Sequence, residues 1–91
     1  MYSMNETLKT TIVRDFKNTE LGFLRIRKNL DISHLSDRET ETYLEKVLSS
    51  TPLGDIEKRG KNYYFKCEQE NAMLTVNSHS LTIITAKKIR K

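Results

Sequence analysis

Hydrophobic positions along the 91-residue chain change their period near its middle. In the first half they recur every three or four residues. Met4, Leu8, Ile12 and Phe16 form one stripe of an amphipathic helix, with Asn5 placed to cap its start. Thr19 followed by Glu20 marks the start of a second helix, whose apolar positions are Leu21, Phe23, Leu24, Ile26 and Leu30. Arg25, Arg27 and Lys28 fall on or near its C-terminal turns, where cations suit the helix dipole. The stretch DISHL, residues 31–35, is a connector. Ser36 and Glu39 then make an S-x-x-E capping box that opens a third helix. Tyr43, Leu44, Val47 and Leu48 are its buried stripe, and Asp37, Glu39, Glu41 and Glu45 make its other face acidic. Ser49, Ser50, Thr51, Pro52 and Gly54 end the helical half.

From residue 55 the period falls to two, and the pattern predicts strands over 55–59, 62–67, 72–77 and 80–86. Gly60-Lys61 reads as a two-residue turn pairing Arg59 with Asn62. Glu68 to Asn71 reads as a loop pairing Cys67 with Ala72, and Ser78-His79 as a turn pairing Asn77 with Ser80. Opposed residues of an antiparallel pair share a face. These registers therefore gather Ile56, Tyr63, Phe65, Leu74, Val76, Leu81 and Ile83 on one face. The other face receives Glu57, Arg59, Asn62, Tyr64, Lys66, Met73, Thr75, Asn77, Ser80, Thr82 and Ile84. The expected fold is α+β, with two or three N-terminal helices packed on one face of a four-stranded antiparallel meander. A second arrangement has the first helix crossing to cover Met73 and Ile84. One domain is expected over 1–91, with a helical half at about 5–50, a sheet half at about 55–86 and a basic tail at 87–91.

Charge sharpens this division. The chain holds 16 Lys plus Arg against 12 Asp plus Glu, a net +4. Residues 1–54 balance at eight of each sign, so the whole excess lies in residues 55–91. Lys87, Lys88, Arg90 and Lys91 concentrate it after the last predicted strand. Such a footprint suits phosphate or an acidic partner, and equally a solvated tail. A single Cys forms no internal disulfide, the N-terminus has no apolar leader, and no run approaches a membrane span. A cytoplasmic protein without membrane contact is the simplest expectation.

Candidate chemistry is narrow. His34, His79 and Cys67 are too scattered in sequence for a metal site, and Cys67 falls on the apolar face. The three glycines make no phosphate loop and no nucleophile elbow, so no cofactor is expected. Acid–base cleavage of RNA remains open, because it needs only a base, an acid and cations on the phosphate. The binding candidates are Asn62, Tyr64, Lys66, Thr75, Asn77, His79, Thr82, Lys87, Lys88 and Arg90. An open sheet face with one aromatic and several cations also suits single-strand binding by stacking and charge. The run SLTIITA, free of charge until Lys87, is fitted to pair with its own copy in a homodimer if it lies at a sheet edge.

Two segments, NTELGFLRIRKNL (18–30) and GKNYYF with LTVNSHSLTIITAKKI (60–65 and 74–89), together resemble a family of short bacterial proteins. That family is catalogued as a domain of unknown function, and its members occur in bacterial genomes and mobile elements. The closing IITAKKIRK is similar to the last strand and basic end of RelE-like toxins, which are small ribosome-dependent ribonucleases. By position that likeness implies roles on RNA for Tyr64, Lys66, Lys87 and Arg90.

The expected function is that of a small non-enzymatic binding protein. Its partner is a nucleic acid or a nucleic-acid-handling protein, met by the mixed sheet face and the basic C-terminus. The family context extends this to an anti-defence inhibitor of the anti-CRISPR kind. The alternative is a metal-independent, RelE-like RNA-cleaving toxin of a toxin–antitoxin pair.

Overall fold

The computed structural model describes residues 4–90, and each helix in it starts where the local chemistry places it. Asn5 Oδ1 accepts a hydrogen bond from the Leu8 N–H at 2.8 Å and opens α1 (Glu6–Asp15). Thr19 Oγ1 accepts from the Gly22 N–H at 3.0 Å and opens α2 (Glu20–Leu30). The capping box forms in both directions between Ser36 and Glu39 and opens α3 (Asp37–Ser50). A 3-10 turn, Leu53–Asp55, leads into β1 (Ile56–Arg59), β2 (Asn62–Cys67), β3 (Ala72–Asn77) and β4 (Ile83–Lys88). The strands are antiparallel neighbours in chain order, so the fold is α+β with N-terminal helices before a meander.

One core joins the two halves. Ile12 of α1, Ile26 and Leu30 of α2, and Leu44, Val47 and Leu48 of α3 meet Ile56, Tyr63, Phe65, Leu74, Val76 and Ile83 of the sheet. Phe65 is the largest fully buried side chain. Helix α2 packs along β4, α3 packs on β2, and α1 packs on α3. All three therefore serve the apolar face. Helix α1 does not cross over, and Met73 and Ile84 stay on the uncovered side.

The first two hairpins have the expected registers, with Arg59 opposite Asn62 and Cys67 opposite Ala72. Gly60 takes φ 59, the left-handed value that a primed hairpin turn requires at its first position. The third hairpin departs from expectation. Asn77 does not pair with Ser80, and β4 starts at Ile83. Asn77 Oδ1 instead accepts from the N–H groups of His79 and Ser80, both at 2.9 Å, and so winds the chain into a wider loop. Leu81 then adopts φ 60, and the Asn77 N–H donates to Thr82 O. Ser and His do not favour positive φ at two successive positions, as a tight turn of the common hairpin type demands.

The linker between α1 and α2 completes this loop. The Lys17 N–H donates to Leu81 O, and the Ile83 N–H donates to Lys17 O. The ladder then shifts: Val76 faces Ile83, but Thr75 faces Thr85 and Leu74 faces Ala86. Ile84 is the extra residue of a β-bulge, and beyond it the inward and outward positions exchange. Ala86 is fully buried, whereas Thr85 and Lys87 are exposed on the open side. The strand also runs two residues past the predicted limit of 86, so Lys87 and Lys88 belong to the sheet and not to a tail. Lys91 lies outside the described residues.

The bulge is testable by substitution. Ala86→Lys is expected to cost at least about 3 kcal/mol, because it forces a charge into the core. Thr85→Lys is expected to stay within about 0.5 kcal/mol of the parent. Denaturant unfolding of the two variants checks this, and an unbulged strand gives the reverse order.

Candidate functional site

The open face is built from cross-strand rows. Glu57, Tyr64, Thr75 and Thr85 form one row across all four strands. Lys66, Met73 and Lys87 form the next, so that two cations flank a thioether. Arg59, Asn62 and Asn77 form the third. Tyr64 and Met73 are the divide between two hollows. One hollow, of about 350 Å³, is lined by Asn62, Tyr64, Met73, Thr75, Ile84, Thr85 and Lys87. The other, of about 260 Å³, is reached from Gly54, Asp55, Glu57, Arg59 and Lys66.

Tyr64 does not stand alone on this face. The Arg59 guanidinium lies 4.8 Å from its ring centroid, in cation–π range, and also bonds the Glu57 carboxylate at 3.2 Å. Thr75 is nearly buried between its neighbours, while Ile84 keeps 43% of its surface exposed. The hollow beside Tyr64 is therefore mixed in character. Its wall carries an aromatic ring, a thioether and a branched alkyl group, and its rim carries an amide, hydroxyls and the Lys87 ammonium.

The sequence candidates divide in the structure. Asn62, Tyr64, Thr75 and Lys87 come together in one hollow, and Lys66 lines the adjoining one. Asn77 is committed to its turn, and His79 sits exposed in that turn and lines neither hollow. Thr82 bridges to Lys17. Lys88 falls on the core side of the sheet, with its ammonium 3.9 Å from Asp31 at the end of α2. Arg90 is held on both its backbone and its side chain. Its N–H donates to Asn71 Oδ1, its C=O accepts from Asn71 Nδ2, and its guanidinium bonds Glu68 at 2.7 Å.

Glu68 thus gathers two of the candidate cations, Arg90 and, at 3.6 Å, Lys66. Lys87 has no ion-pair partner among the described residues. Sequence reasoning placed Arg59, Met73 and Ile84 on this face without naming them as candidates, and strand alternation was signal enough for all three. Thr85 was missed altogether, because only the bulge turns it outward. Among the described residues no group of three or more His, Cys, Asp or Glu side chains assembles as a metal site. Among them too, no helix is long and apolar enough to cross a membrane.

Acid titration reads the Glu68 cluster. The hydrogen bond from Arg90, with the charges of Arg90 and Lys66, holds the Glu68 carboxyl below its ordinary value. A depressed carboxyl stabilises the fold above its unfolded-state pKa, and that contribution disappears as pH falls through the folded-state value. An NMR titration is therefore expected to give Glu68 a midpoint below that of a free glutamate, and Arg90→Ala is expected to raise it. A midpoint indifferent to Arg90→Ala counts against the pairing.

No curated protein and no solved structure matches this chain. A family model does match, over residues 10–87, a span that holds the later part of α1, α2, α3, the sheet as far as Lys87, and both hollows. The chain belongs to the family described as Protein of unknown function (DUF3781).

Proposed function

We propose that this protein is a non-enzymatic binding module that engages single-stranded nucleic acid across the open face of its sheet. The observation that carries the reading is the parity change at Ile84. It turns Lys87 onto the face of Tyr64 and leaves it beside a hollow with no carboxylate in its lining. Single-strand binders combine sequence-tolerant stacking on a ring with cations that follow the backbone. Tyr64, backed by Arg59, supplies the ring, and Met73 and Ile84 extend the apolar floor. Lys87 and Lys66 flank that floor at the spacing of two strand intervals, about 10 Å. Asn62, Thr75 and Thr85 offer donors and acceptors at its rim.

Anisotropy titration of a labelled single-stranded oligonucleotide over a salt series tests the reading. Two phosphate contacts predict a slope of log affinity against log salt of about −1.4. Lys87→Ala is expected to flatten that slope by about 0.7, and Tyr64→Ala to weaken binding about 5- to 150-fold. Absence of binding to any DNA or RNA at low salt overturns the proposal. So does binding that neither salt nor Lys87→Ala changes. The oligonucleotide is expected back intact, and its cleavage would replace binding by the ribonuclease alternative.

A further inference from the structure

The hollow beside Tyr64 has a shape that stacking on an open ring does not use. Thr75 of β3 is the one buried residue in its lining, at 8% exposure. Tyr64 of β2 and Ile84 of β4 line it from the strands on either side, and the space between is about 350 Å³. Two strand intervals set those walls about 10 Å apart. A flat ring in van der Waals contact with both takes up about 7 Å of that width.

The Tyr64 ring is open toward this hollow and covered on its other side. The Arg59 guanidinium, 4.8 Å from the ring centroid, belongs to a residue that lines the second hollow and not this one. Glu57, whose carboxylate holds Arg59, also lines the second hollow. The negative charge nearest the ring is thus paired and kept to the far side. Among the described residues, the one charged side chain lining the hollow over Thr75 is Lys87.

Two polar side chains of the lining are unspent. Asn62 makes no side-chain hydrogen bond among the described residues, so its amide offers both donors and an acceptor. Thr75 Oγ1 makes none either, and it is not one of the sealed side-chain atoms without a partner. It therefore opens into the hollow. A side chain buried that far is normally hydrogen-bonded, so its free hydroxyl marks a place where the edge of a polar ligand completes the bonding. A nucleobase has the flat faces that the two walls take and the donor–acceptor edge that an amide matches.

We infer that one unpaired nucleobase of the bound strand enters this hollow between Tyr64 and Ile84 and is held at its edge by Asn62 and Thr75, which makes the protein selective at that one position. The inference rests on the single-strand reading above and departs from it in one respect. Stacking on an open ring tolerates any base, whereas an edge fitted to fixed donors and acceptors does not.

Anisotropy titrations of the full chain at fixed low salt test this, with dA, dC and dT homo-oligomers of one length and an abasic strand of that length. One homo-oligomer is expected to bind at least about fivefold tighter than the other two, and the abasic strand weakest of all. Asn62→Ala is expected to level the three while leaving the salt slope unchanged, which also shows that the variant folds. Thr75→Val, which keeps the shape without the hydroxyl, is expected to narrow the spread as well. The free nucleoside monophosphate of the favoured base is expected to bind at least about tenfold more weakly than the strand, because it lacks linked neighbours. Equal binding of the three homo-oligomers by the wild type overturns the inference and leaves the single-strand reading standing. So does a spread that Asn62→Ala preserves. A monophosphate bound as tightly as the strand makes the ligand a free nucleotide and overturns it too. Failure to bind any strand removes both the inference and the reading beneath it.

Discussion

The close approach of α2 to β4 is the contact on which the rest of the structure depends. A Cβ added to Gly22 would lie 2.9 Å from Thr19 Oγ1 and 3.7 Å from Ile83 O. Any side chain there would press on the hydroxyl that caps the helix. With hydrogen in its place, α2 settles along the outer strand. Asn29 Nδ2 then donates to Ala86 O at 3.0 Å, and the linker before α2 exchanges two backbone hydrogen bonds with Leu81 and Ile83. These bonds satisfy groups that an edge strand otherwise leaves open to a passing chain. They also set where β4 begins. The strand enters the sheet only after the Lys17 bridge, and it reaches its buried positions through the bulge at Ile84.

That dependence explains which parts of the fold were legible in the sequence. The three helix caps are decided within four residues, and Asn5, Thr19 and the Ser36–Glu39 pair all act as their side chains dictate. The first hairpin is decided by Gly60 and the second by a short loop in which Asn71 accepts φ 53. Both registers also agree with the alternation of apolar residues. The third hairpin is decided by Asn77, which spends its side chain on the turn, and by Lys17, which lies more than sixty residues away in the chain. Nothing local to SLTIITA records the second of these. A bulge also defeats any reading by alternation, because it reverses the parity on which that reading relies.

The candidate site divides along the same line. Asn62, Tyr64 and Thr75 were legible because β2 and β3 are regular. Lys87 was visible as a charge, but as part of a tail. Arg90 and Lys66 are binding candidates by charge and position, but the acid that gathers them, Glu68, lies in a turn that alternation does not place. The basic excess after residue 54 is thus not one patch. Lys87 faces the hollow, Lys88 turns to the helical side, and Arg90 straps the end of β4 to the loop before β3.

The placement of the titratable groups bears on whether this face supports contact or catalysis. General acid–base cleavage needs a base and an acid within reach of one substrate, and histidine is the side chain most often used. The hollow beside Tyr64 is otherwise lined by an amide, two hydroxyls, a thioether, an alkyl group and an ammonium. His79 stands beyond the end of β3, and His34 lies in the connector between α2 and α3, on the helical layer. Neither imidazole lines the hollow that Tyr64 shares with Lys87. Its donors, acceptors, apolar floor and ammonium group are the parts that the proposed recognition of a single strand would use.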